Sequence, residues 1–142
     1  MLKAIIIDPS AVARGLLNTV LLDGGYDVVG QGHTCALAHA LMVKHQPQIL
    51  CVARDIFDAD RAGVEALHKE WPKCLLFMVS SEFDAATVQT AHAMGVNGFI
   101  VKPFNAGTVL KTIRNTVIAM VKRQQKAIAE QGAAKEEGNG AQ

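Results

Sequence analysis

Residues 75–103 of the chain are LLFMVSSEFDAATVQTAHAMGVNGFIVKP, and this stretch decides the fold. It opens with an unbroken apolar run, Leu75 to Val79, and closes with a second one, Gly98 to Val101. Neither run alternates apolar with polar residues, which is typical of strands covered on both faces of a parallel sheet. The segment between them predicts a helix from about Asp84 to Met94, with Gly95 as its stop. The stretch therefore predicts a strand–helix–strand unit.

The same alternation continues towards both ends of the chain. Further strands are predicted at Ala4 to Ile7, Asp27 to Gly30 and Ile49 to Ala53, and further helices begin near Ser10, Cys35, Val64 and Asn105. The first helix is expected to bury Val12, Leu16, Leu17, Val20 and Leu21. Five strands alternating with five helices predict a doubly wound α/β domain with a five-stranded parallel sheet.

The last residues differ in composition from the rest. Residues 127–142 are mostly Ala, Gln, Glu, Lys and Gly, which predicts a frayed helix end followed by a disordered tail. The folded domain is therefore expected to cover residues 1–126.

Composition excludes several classes of protein. Half of the 142 residues are hydrophobic, 19% are charged and the net charge is +1, which suits one domain and argues against a dedicated nucleic-acid or membrane-surface binder. No apolar stretch approaches the roughly 18 residues of a membrane span, and no signal peptide is visible, so we expect a soluble cytoplasmic protein. Three cysteines lack CxxC spacing, and Cys51 and Cys74 are expected to be buried.

In a doubly wound sheet, sites form at the carboxyl ends of the strands. The residues expected there are Asp8-Pro9-Ser10, Ala53-Arg54-Asp55, Ser80-Ser81 and Lys102-Pro103. Their order along the chain, within the segments IIIDPSAVARGLL, PQILCVA, FMVSS and GVNGFIVKPF, resembles the bacterial response-regulator receiver domain of the CheY-like family. The resemblance covers about Lys3 to Val121. It implies a flavodoxin-like strand order 2-1-3-4-5, a cis Lys102–Pro103 bond and a role in two-component signal transduction or a phosphorelay.

The resemblance also implies a phosphorylation pocket that is degenerate here. Asp8 matches the first of two metal-binding acids, and Pro9 replaces the second. Ser80 and Lys102 match the residues that contact the phosphoryl group. Ala53 stands at the position of the aspartate that accepts it. A methyl group can neither accept a phosphoryl group nor bind Mg²⁺, so we expect no catalytic residue, no metal and no cofactor.

Two questions about this pocket stay open in the sequence. Asp55 could replace the missing acceptor, or it could cap the next helix or stay solvated together with Asp58 and Asp60. Asp8 and Lys102 are expected to form a direct pair, which Arg54 either joins or leaves by pointing to solvent.

A pseudo-receiver of this kind is expected to act through a protein surface. Phe99 matches the family's aromatic switch residue, although it also fits a plain core position. Residues 106–126 carry five basic residues and no acidic one: Lys111, Arg114, Lys122, Arg123 and Lys126. This face is either a solvated surface or a docking site for an acidic partner. The expected partner is a signalling protein, namely a histidine kinase, a regulator or an effector.

Three other functions remain as alternatives. The first is an ordinary receiver that is phosphorylated on Asp55. The second is a dimerisation or targeting module, tethered by residues 127–142, with a homodimer through the fourth helix, fifth strand and fifth helix. The third, a lesser one, is a small anionic ligand at Ser80 and Lys102.

Overall fold

The computed structural model describes the backbone of residues 1–140 and the side chains of residues 1–132. In this part of the chain, five parallel strands form one sheet in the order β2-β1-β3-β4-β5, as the sequence predicts. The strands are β1 Lys3–Ile7, β2 Asp27–Gly32, β3 Ile49–Ala53, β4 Leu75–Ser80 and β5 Gly98–Val101. The helices are α1 Ala11–Asp23, α2 Cys35–His45, α3 Arg54–Ala59, α4 Arg61–Glu70, α5 Ala85–Ala93 and α6 Ala106–Gly140.

The sheet is covered on both faces, which explains its unbroken apolar strands. On one face α1 and α6 contribute Leu17, Leu21, Val109 and Ile113 to a core that includes Phe77. On the other face the remaining helices pack against alternate residues of the same strands. Every residue of β3 and β4 is buried. Cys51 and Cys74 are buried as predicted.

Side-chain caps set the starts of several helices. Ser10 Oγ accepts a hydrogen bond from Ala13 N at 3.1 Å and begins α1. Asp60 Oδ1 accepts one from Gly63 N at 3.0 Å and begins α4, which is the capping role that the sequence left open for this acid.

The structure contains one helix more than the five that the sequence predicts. The additional helix is α3, which follows β3 without a loop and ends just before the cap of α4. It has only six residues, of which Ile56 and Phe57 are buried. Such a segment is too short to show a helical period in the sequence.

The buried side of α1 also differs from the prediction. Val12 is 74% exposed and Leu16 is 56% exposed, whereas Ala13, Leu17 and Leu21 face the core. Residues four apart lie on one side of a helix, so the three buried positions form a narrow stripe. The expected burial of Val12 and Leu16 is therefore wrong, and α1 presents apolar side chains on its outer side.

Helix α6 extends beyond the last residue of the core. The backbone follows α6 to Gly140, and residues 141 and 142 lie outside the described residues. From Val121 to Gly132 every residue is exposed, so the core does not extend past Met120. The predicted domain limit at residue 126 and the disordered tail after it stay predictions. Within residues 1–140, no helix combines the length and the apolar character needed to cross a membrane.

Candidate functional site

An ion pair between a buried carboxylate and a partly exposed ammonium group occupies the carboxyl end of the sheet. Asp8 follows β1 directly and is only 4% exposed. Its Oδ2 accepts a hydrogen bond from Lys102 Nζ at 2.8 Å, and its Oδ1 accepts one from Ser10 N at 2.8 Å. Lys102 comes from the loop after β5, where its peptide bond to Pro103 is cis, as the sequence predicts. Asp8 and Lys102 therefore neutralise each other in a partly buried ion pair.

Ala53 ends β3, the strand between β1 and β4, and is 1% exposed. Ala53 pairs with Val79, which is one residue before the end of β4. The side chain of Ala53 is a methyl group. Pro9, which follows Asp8 in the chain, is exposed and has no side-chain oxygen. Asp8 is consequently the single carboxylate at the positions that the resemblance assigns to the pocket.

The Ser80 hydroxyl is engaged by its own loop. Ser80 Oγ donates to the main-chain oxygen of Glu82 at 2.9 Å and accepts from Glu82 N at 3.2 Å. The Ser80 main-chain oxygen accepts a hydrogen bond from Lys102 N at 2.9 Å, which ties the two loops together. The side chains of Ser80 and Lys102 thus both have partners within the described chain.

Arg54 does not join the Asp8–Lys102 pair, and its side chain does not simply point into solvent. Its guanidinium donates to the main-chain oxygen of Glu82, in the loop after β4, and to Thr87 Oγ1, in the first turn of α5. Asp55, the alternative acceptor, is exposed in the first turn of α3. Among the described residues it makes no hydrogen bond or ion pair with the pocket.

Phe99 is half-buried on β5, the edge strand of the sheet. Its ring packs edge-on against Phe83, with 5.1 Å between centroids, and against His92, with 5.2 Å. Neither Phe83 nor His92 stands out in the sequence, because their contact with Phe99 depends on how the β4–α5 loop and α5 pack. Phe99 also lines a mostly apolar groove between β5 and α6, which includes Val101, Pro103, Thr108 and Thr112.

The predicted basic residues lie on a different side of α6. Lys111, Arg114 and Lys122 are exposed, and none of them forms a salt bridge within residues 1–132. Lys111 and Arg114 line a second groove with Leu110, which packs against Gly24 after α1. Burial raises the pKa of the Tyr26 hydroxyl, and the nearby charge of Arg114 offsets part of this rise. The structure therefore does not bring Phe99 and Arg114 into one groove.

A third surface was missed in the sequence. The exposed side chains of Val12 and Leu16 line a groove with Lys102, Pro103 and Phe104, directly beside the ion pair. The signal in the sequence was ambiguous, because α1 contains apolar residues on more than one side.

Comparisons with known proteins agree with the fold. The chain is 30% identical over 119 residues to the chemotaxis protein CheY of Bacillus subtilis, which covers 81% of this chain and 97% of that protein. A structure of the chemotaxis response regulator CheY4 of Vibrio cholerae matches with a TM-score of 0.71 and 25% identity, over 82% of this chain and 98% of that one. A CheY-like receiver domain protein from Methanospirillum hungatei matches with a TM-score of 0.76 at 18% identity, over 87% and 98% of the two chains, which supports the fold alone. No family model matches the sequence.

Proposed function

Because the chain belongs to the CheY-like family of response-regulator receiver domains, we propose that it acts in two-component signal transduction by phosphorylation-independent protein–protein interaction. The observation that carries the proposal is the buried methyl group of Ala53 at the acceptor position, beside a Lys102 that is already neutralised by Asp8.

The chemistry of phosphoryl acceptance is missing from these side chains. Mg²⁺ requires several oxygen ligands and usually one or two carboxylates from the protein. Asp8 is the single carboxylate in the pocket, and its two oxygens already accept hydrogen bonds from Lys102 and Ser10. A metal ion would have to break the ion pair, and Ala53 would still provide no acceptor.

Because the polar side chains of the pocket already have hydrogen-bond partners, the function is expected to reside in the surface of the domain. The basic side of α6, formed by Lys111, Arg114 and Lys122, suits an acidic signalling protein such as a kinase, a regulator or an effector. Phe99 and the groove between β5 and α6 form a second contact area on the edge of the sheet. The same edge, with α5, is the surface through which two copies would pair.

The exposed side of α1 favours a second docking surface. Val12, Gly15, Leu16 and Thr19 are exposed and uncharged, which is unusual for the outer side of a helix. A Cβ at Gly15 would meet nothing within 4 Å, so no contact in this chain requires glycine there. Glycine inside a helix costs about 1 kcal/mol relative to alanine, but it lets the backbone of a partner approach closely.

The experiment that tests the proposal is treatment with acetyl phosphate and Mg²⁺, followed by mass spectrometry of the intact protein. We expect no phosphoryl adduct on the wild-type chain. The matched control is Asp55→Asn. An adduct that forms on the wild type and disappears in this variant would replace the proposal with an ordinary receiver phosphorylated on Asp55.

A further inference from the structure

The side chain of Arg54 connects three elements at the edge of the pocket. Arg54 follows directly on Ala53 and is the first residue of α3. Its Nη1 donates to the main-chain oxygen of Glu82 at 3.3 Å, and its Nη2 donates to Thr87 Oγ1 at 3.2 Å. Its Nε lies 3.9 Å from Asp58 Oδ2, one turn further along α3. One guanidinium therefore joins α3 to the β4–α5 loop and to the first turn of α5.

The β4–α5 loop is also held from its inner side. Ser80 Oγ donates to the same Glu82 oxygen that Arg54 contacts, so both lone pairs of this carbonyl are used. Asp84 Oδ1 accepts from Thr87 N at 2.7 Å and caps α5. Hydrogen bonds from Thr87 are the main reason why the pKa of Asp84 is lowered, and the charge of Arg54 lowers it further.

This loop carries one of three rings that pack together beside the edge strand β5. Phe83 lies between Glu82 and Asp84, and its ring meets the ring of Phe99 at an interplanar angle of 72°. Phe99 meets His92 at 84°. Both contacts have the edge-to-face geometry that aromatic pairs favour. The position of the Phe99 ring thus depends on the loop that Arg54 holds.

We propose that Arg54 is a positioning residue that keeps residues 82–87 in one arrangement without phosphorylation and thereby fixes Phe83, Phe99 and His92. With alanine at position 53, the guanidinium has no carboxylate beside it on β3, and its donors are directed to the loop. Hydrogen bonds from a charged donor are stronger than those between neutral groups, which suits a clamp at a partly exposed site. Only the step from this aromatic cluster to partner binding rests on the proposed function.

The test is amide hydrogen exchange measured by NMR on the full chain. Arg54→Met keeps most of the apolar stem and removes the donors. We expect the hydrogen-bonded amides of Glu82, Thr87 and Val88 to exchange about tenfold faster, and the nuclear Overhauser effects between the Phe83 and Phe99 rings to weaken. Amides of β1 and β3 should keep their wild-type rates. Arg54→Lys should be intermediate, because a single ammonium group cannot reproduce the two-pronged geometry.

Two further variants separate the clamp from a general effect on folding. Arg61→Met is the matched control. Arg61 lines one groove together with Arg54 and Thr87, but it pairs with Glu65 of its own helix at 3.2 Å, so its loss should leave these amides unchanged. Thr87→Val should accelerate exchange in the wild-type background and add little to Arg54→Met. Wild-type exchange rates in Arg54→Met would overturn the proposal. Equal acceleration of exchange at all amides, together with a lower free energy of unfolding, would also overturn the proposal. Both outcomes are independent of whether acetyl phosphate forms an adduct.

Discussion

At the scale of single residues, we expect Ala53 and Pro9 to be separate obstacles to phosphorylation. Ala53→Asp alone should accept little phosphoryl group from acetyl phosphate, because Pro9 still leaves Mg²⁺ one ligand short. The new carboxylate would also compete with Asp8 for Lys102. Ala53→Asp combined with Pro9→Asp should be phosphorylated at least about tenfold faster than the single variant, the usual size of the effect of losing support at a metal site.

Mass spectrometry over a time course of acetyl phosphate and Mg²⁺ gives both rates, and circular dichroism checks that each variant is folded. The check on folding matters because Ala53 is buried, and a charge placed there without a partner is costly. A single variant that reacts as fast as the double one would show that Pro9 is not an obstacle.

The polar residues of the pocket could be anticipated individually, but their partners only in part. Asp8, Ser80 and Lys102 follow from the rule that sites form at the carboxyl ends of strands, and opposite charge suggests the Asp8–Lys102 pair. Arg54 could not be resolved in the same way. Its acceptors are a main-chain carbonyl and the hydroxyl of Thr87, and a loop conformation that no sequence pattern specifies brings them within reach.

The buried thiols give the domain a dependence on alkaline pH. Burial raises the pKa of Cys51 and of Cys74 from 9.0 to about 12. In the unfolded chain these thiols ionise near pH 9, whereas in the folded chain they stay protonated, so the free energy of unfolding falls as the pH rises above 9. Each thiol should contribute a loss of roughly 1 kcal/mol between pH 8 and pH 10.

Urea unfolding of the wild type and of Cys51→Ala at both pH values isolates this contribution. The variant will be less stable throughout, since it loses buried volume, but its loss between pH 8 and pH 10 should be smaller by roughly 1 kcal/mol. Other groups that titrate in this range are common to both chains and cancel in the difference. Equal losses in the two chains would mean that Cys51 ionises as easily in the folded state as in the unfolded one.

At the scale of helices, the orientation of α1 can be tested with two adjacent leucines. Leu17 is 1% exposed and packs in the core shared with α6, whereas Leu16 is more than half exposed. Leu17→Ala should lower the free energy of unfolding by about 2–5 kcal/mol, because it leaves a cavity. Leu16→Ala should change it by no more than about 0.5 kcal/mol. The two variants have the same chemistry and control for each other in urea denaturation, and similar losses would place Leu16 in the core.

The sequence predicted the existence of strands better than the orientation of helices. A strand buried on both faces is a continuous apolar run, so β3 and β5 were predicted with the bounds that they have. Helix α1 contains apolar residues on both its inner and outer sides, and the period of 3.6 residues cannot decide between overlapping stripes. Helix α3 was invisible because six residues make less than two turns.

At the scale of the whole molecule, three separate grooves are candidates for partner binding. The α1 groove lies at the carboxyl end of the sheet, beside Asp8 and Lys102. The Phe99 groove lies along the edge strand, and Lys111 and Arg114 line another groove on α6. A partner that contacts one of these surfaces does not need the others, so substitutions on each surface can be compared in one binding experiment.

The basic side of α6 should control how fast an acidic partner binds. Arg114→Glu combined with Lys122→Glu should leave the fold intact, because both side chains are exposed and form no salt bridge within the described residues. For a partner recovered from the native cells by cross-linking, the association rate of the wild type should fall as salt rises, since screening weakens steering. The double variant should associate about tenfold more slowly at low salt and show little dependence on salt. Lys102→Ala should weaken binding less than the α6 double variant. In the same assay, Val12→Ser combined with Leu16→Ser reports on the α1 surface. If the α6 double variant binds as the wild type does and Lys102→Ala abolishes binding, the partner recognises the pocket of Asp8 and Lys102 and not the basic side of α6.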